Sequence, residues 1–84
     1  MREYRPLHSD LVAEFIISLP KRRQRKVVDL CNQLASNLFI KSDYTVKDTD
    51  GRDIEHLLVG SFVIAYWVDH PACNVMITEV DDVQ

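Results

Sequence analysis

Apolar and polar positions along the chain fall into two periods. Over residues 9–19, SDLVAEFIISL, the apolar residues Leu11, Val12, Phe15, Ile16 and Leu19 recur at i, i+1, i+4, i+5 and i+8. That spacing lines one side of a helix. Ser9 or Asp10 can cap its first N–H groups. Pro20 ends this helix and suits the first turn of the next, since it lacks an N–H and fixes φ. Residues 21–37 predict a second helix with Val27, Leu30, Cys31, Leu34 and Leu38 on one side and Asn37 as a left-handed stop. So short a junction at Leu19-Pro20 folds the two helices into an antiparallel hairpin.

Beyond residue 43 the period shortens. Tyr44 to Lys47, Ile54 to Val59, Phe62 to Val68 and Asn74 to Val80 are β-branched or aromatic runs. Asp50-Gly51, Gly60-Ser61 and His70-Pro71-Ala72 separate them, and Asp-Gly is a strong hairpin signal. Links this short predict an antiparallel meander. The run Phe62–Val68 is apolar on both faces, as a central strand would be. Residues around Tyr4 can add a short edge strand, limited by Pro6. The expected fold class is α+β: a helical hairpin packed on one face of a small antiparallel sheet, in the order (β)ααββββ.

Length and composition fit this reading. At 84 residues and 9.7 kDa the chain makes one domain, and a domain of this size buries only ~60% of its unfolded surface. No apolar run is long enough to span a bilayer. With no charged-then-apolar leader at its start, a cytoplasmic address is expected. Cys31 and Cys73 lie 42 positions apart without a CxxC spacing, and a reduced pair is the expectation. His8, His56 and His70 show no metal-ligand spacing, so neither a metal nor another cofactor is expected.

Charge divides the chain. The net charge of −3 splits into +4 for residues 1–42 (eight Lys/Arg against four acids) and −7 for residues 43–84 (two against nine). Such asymmetry bears on partners. Opposite halves of neighbouring copies could dock as a homodimer.

Several stretches resemble the RelE/ParE family of bacterial type II toxins. These are Ser18-Leu19-Pro20 with the basic turn Lys21–Lys26, the segment DLCNQLASN, the Asp50-Gly51-Arg52-Asp53 turn, the run GSFVIAYWVDH, and Val75–Val80 as a last strand. The resemblance implies a toxin neutralised by a cognate antitoxin, its concave sheet face meeting the ribosome and messenger RNA, or else DNA gyrase. It implies metal-independent cleavage by 2′-hydroxyl attack on the neighbouring phosphodiester. That chemistry needs a base, cations opposite the phosphorane charge, and an acid for the leaving oxygen. Family members take these groups from Lys and Arg on the sheet and a Tyr or His near the C-terminus. Here the sheet half carries only Lys47 and Arg52 as cations, and its last strand ends in Glu79, Asp81 and Asp82.

The candidate catalytic residues are therefore Lys47, Arg52, His56 and His70. Lys47 and Arg52 would contact phosphate, or else pair with local acids. His56 would serve as a base, or sit as a satisfied, partly buried histidine beside Ile54 and Leu58. His70 would serve in acid–base chemistry or cap the turn before Pro71. Contact candidates are Lys21, Arg22, Arg23, Arg25 and Lys26, whose positive charge at a helix start opposes the macrodipole, together with Tyr66 and Trp67. Those two aromatics must face opposite sides of their strand, one in the core and one exposed. Glu79, Asp81 and Asp82 have an unspecific spacing and read as a solubilising tail rather than as a metal or hydrolytic cluster. A non-catalytic module that binds a partner on the same fold is the competing reading.

Overall fold

A computed structural model describes residues 3–83. Strand β1 (Arg5–His8) leads into helices α1 (Asp10–Ser18) and α2 (Lys21–Ser36), followed by β2 (Tyr44–Lys47), β3 (Asp53–Val59), β4 (Phe62–Asp69) and β5 (Asn74–Asp82). The five strands form one sheet in the order β1-β5-β4-β3-β2. Strands β2 to β5 make the expected antiparallel meander with β4 at its centre. The edge strand near Tyr4 exists but runs parallel to β5, from Arg5 opposite Asn74 to His8 opposite Ile77. The sheet is thus mixed, because the helical hairpin is the long crossover that parallel pairing requires.

Local chemistry explains the element ends. Ser9 caps α1: its Oγ accepts from the Val12 N–H at 3.2 Å and donates to the Thr78 carbonyl of β5 at 3.3 Å. Gln24 of α2 donates its side-chain amide to the carbonyls of Ile17 (3.2 Å) and Leu19 (2.8 Å). It thereby satisfies acceptors that the end of α1 leaves open. Gly51 and Gly60 take positive φ in the β2–β3 and β3–β4 turns, as their positions predict. Asn37 is not left-handed. It is extended at φ −141°, and its side-chain oxygen accepts from the Phe39 N–H at 3.1 Å. An Asx turn, which Asn favours as readily as the left-handed stop, closes the helix instead.

The core lies between the helices and one sheet face. Val12, Val27, Cys31, Leu34 and Ala35 pack against Phe62, Ile64, Tyr66, Val75, Ile77 and Val80. Two members of the expected helical stripes stay outside it. Leu11 is 76% exposed at the α1 flank, beside the stretch of β5 that β1 no longer covers, and Leu38 lies past the last turn of α2.

One irregularity positions the opposite face. Between Ala65 and Tyr66 the β5 partner jumps from Glu79 to Ile77, which leaves Thr78 as the extra residue of a bulge. The Thr78 hydroxyl donates to the Ala65 carbonyl at 3.2 Å and holds the bulge in place. Strict alternation from Ile77 would send Glu79 into the core and Val80 out. With the bulge, Val80 is buried and Glu79 is exposed on the open face.

Candidate active site on the open sheet face

Register places four residues in one row across four strands: Tyr44 opposite His56, His56 opposite Ala65, and Ala65 opposite Glu79. The Tyr44 and His56 rings stack at 4.6 Å and 11°. The His56 Nδ1–H donates to the Ile54 carbonyl of its own strand at 3.1 Å, which leaves Nε2 for another partner. His56 is half-buried beside apolar neighbours of the same face, as its alternation with Ile54 and Leu58 predicts.

Trp67 follows two residues after Ala65 on that face. The Arg52 guanidinium lies 4.0 Å from its ring centroid, a cation–π contact that holds the charge over the sheet. A longer 3.7 Å approach links Arg52 to Asp48. The Asp48 carboxylate also accepts the N–H groups of Asp50 and Arg52, so the hairpin turn is what fixes the start of β3. A shallow concavity of about 290 Å³ joins these parts, with Arg52, Ile54, His56, Ala65, Trp67 and Glu79 among its lining. Ala65 is its floor, because a larger side chain there would fill the gap between His56 and Glu79.

Glu79 binds its proton more tightly than an ordinary carboxyl. A hydrogen bond to Asp81 and the Asp81 charge are the main causes, with some burial, and His56 opposes them. The spacing of these acids in the sequence points only to a solubilising tail. The signal for Glu79 was present in the apolar spacing of β5, where the in-facing set slips from Val75 and Ile77 to Val80.

The other candidates stand outside the cross-strand row. Lys47 stands directly opposite Asp53 and donates to its carboxylate at 2.7 Å, which raises its pKa. It lines the concavity with its charge already matched. His70 pairs with the Tyr4 hydroxyl at 2.9 Å and meets that ring edge-to-face at 5.8 Å. This contact ties the start of the chain to the β4–β5 turn, and His70 takes no place in the row. Tyr66 turns to the helices and is 6% exposed, so it is a core residue rather than a contact. Burial, with Glu55 and Asp43 nearby, raises its pKa. Trp67 is the member of the pair on the open face, half-buried under Arg52.

The basic turn also divides. Arg23 donates to Asp82 at 2.6 Å and Ser61 at 3.0 Å and lies 4.8 Å from the Phe62 ring centroid. It clamps α2 to the sheet and is not free for a ligand. Lys21, Arg22, Arg25 and Lys26 remain exposed around a concavity of about 590 Å³ on α2, with Asp29, Leu30 and Gln33. Because α2 covers the other side of the sheet, these cations do not join the open-face site.

No protein-family model matches the sequence, and no curated protein matches it. Two solved structures share its backbone along almost its whole length. A chain of the archaeal RelE–RelB complex from Pyrococcus horikoshii superposes with a TM-score of 0.75 at 18% identity, over 98% of this chain and 97% of that one. A chain of the toxin–antitoxin complex RelBE2 from Mycobacterium tuberculosis gives 0.78 at 17%, over 96% and 99%. The chain has a RelE-like toxin fold, divergent in sequence. Among the described residues no helix is long and apolar enough to cross a membrane.

Proposed function

We propose that this chain is the toxin of a toxin–antitoxin pair and that its open sheet face cuts messenger RNA on the ribosome. The observation that carries the reading is the single concavity that gathers Arg52, His56 and Glu79 with the Trp67 ring. Cleavage by the 2′-hydroxyl needs a cation near phosphorus and groups that take and return a proton. Arg52 supplies the cation, and its place over Trp67 keeps the guanidinium at the surface. Both backbone neighbours come from complexes of a toxin with its antitoxin, which supports a protein partner for this fold.

A reconstituted translation reaction, with 5′ ends mapped on the message, tests this. New ends within ribosome-bound codons, lost in Arg52→Ala, are the expected result. Intact message would remove the nuclease reading. A second reading, a module that binds a partner without cleaving RNA, is favoured by the acid pair Glu79 and Asp81 and by the neutralised Lys47. Intact message together with a stable complex between this chain and a basic partner would select it.

A further inference from the structure

We propose that Glu79 is the general base of this site, working across Ala65 from His56 as the general acid. The inference rests on the RNA-cleaving reading of the open face. In-line displacement at phosphorus requires the attacking and leaving oxygens on opposite sides, so base and acid must stand apart with the phosphate between them. Glu79 and His56 meet that demand. They lie in one cross-strand row, separated by the strand that carries Ala65. Two strand spacings put their backbones roughly 10 Å apart, and both side chains line the same concavity. Ala65 presents only a methyl group between them, and Arg52 lines the same concavity for the phosphorane charge.

The step balances without a further reactant. The Glu79 carboxylate takes the 2′-hydroxyl proton as the 2′-oxygen bonds to phosphorus. The bond from phosphorus to the 5′-oxygen breaks, and that oxygen takes the proton from His56 Nε2. The products are a 2′,3′-cyclic phosphate and a 5′-hydroxyl, with Glu79 protonated and His56 neutral. Exchange with water resets both. His56 is suited to its half of the work because the Ile54 carbonyl already holds Nδ1.

The charged surroundings of Glu79 are known from each side. His56 faces it from β3, Arg52, Lys47 and Asp48 from the β2–β3 hairpin, and Asp81 from its own strand. On the α1 side its neighbours are Leu11, Val12 and Phe15, which do not titrate. Asp81 is the main group that holds a proton on Glu79. Replacing Asp81 by Asn therefore lowers the pH at which Glu79 becomes a free base.

Single-turnover cleavage of ribosome-bound message between pH 5 and 9, with thermal melts of each variant, tests the assignment. Glu79→Gln should slow cleavage by ~10²–10⁴-fold and flatten the acidic limb of the profile. Asp81→Asn should move the acidic limb to lower pH, a shift that a purely structural role would not produce. Wild-type rate in Glu79→Gln, or an unmoved limb in Asp81→Asn, would overturn the assignment while inactivity of Arg52→Ala left the RNA-cleaving reading standing. Absence of cleavage by the wild-type protein would overturn both. Should Glu79→Gln melt early, the Asp81→Asn profile decides alone.

Discussion

The two faces of β4 divide the labour of this protein. Phe62, Ile64 and Tyr66 point to the helices and are buried among Val12, Val27, Cys31 and Leu34. Val63, Ala65 and Trp67, one residue out of step, form the floor and wall of the open face. On the first face each position is fixed by packing. On the second, the residues answer to one another's charge and ring contacts: Arg52 to Trp67, His56 to Tyr44, Glu79 to Asp81. A domain this small has one core, so a site that is to vary must sit where the core does not constrain it.

Substitutions along β4 should therefore separate stability from activity. Ile64→Ala is expected to cost ~2–5 kcal/mol, since Ile64 is fully buried and the cavity cannot collapse. Chemical denaturation measures it, and a cost below that of Val63→Ala would break the contrast between the faces. The next effect is alkaline. Burial pushes the Cys31 thiol up to about 11 from 9.0. Above the unfolded value the unfolded chain loses that proton while the folded chain keeps it, so stability falls as pH rises from about 9 to 11. The loss is on the order of 2 kcal/mol. Stability curves of wild type and Cys31→Ala at pH 8 and 10.5 isolate it, because only the wild type carries this slope.

Smaller effects sharpen the same contrast at the seam between the helices and the sheet. Arg23→Ala should cost about 1 kcal/mol through its Asp82 bond and its place over Phe62, and leave cleavage intact. Loss of activity in a stably folded Arg23→Ala would return that residue to the list of ligand contacts. Cys73 holds φ +56° in the β4–β5 turn. Cys73→Gly should relieve that conformation and gain up to about 1 kcal/mol, read as a higher melting temperature. Lys47→Ala is expected to change the melting temperature least, because both it and its partner Asp53 are largely exposed.

Much of the fold was legible in the sequence for physical reasons. The Ser9 cap, the Pro20 break, and the Asp50-Gly51 and Gly60 turns are local signals, and each stands where its chemistry requires. The parallel pairing of β1 was not legible, because four residues carry no information about direction; the crossover decides it. Alternation established that Tyr66 and Trp67 part company but not which one meets the helices, since that depends on where the hairpin lands. The site was half legible. Arg52 and His56 lie in it and Lys47 lines it while paired to Asp53, whereas Arg23 and Tyr66 are committed elsewhere. Glu79 was hidden by a one-residue slip in the β5 pattern that the Thr78 bulge absorbs.

Growth on induced expression, measured for wild type, Arg52→Ala and Lys47→Ala with melting curves for each, asks whether the open face carries the toxicity. The open-face account predicts arrest by wild type and by Lys47→Ala, and normal growth with a folded Arg52→Ala. Undiminished arrest by Arg52→Ala, or unimpeded growth with the wild-type protein, would contradict it.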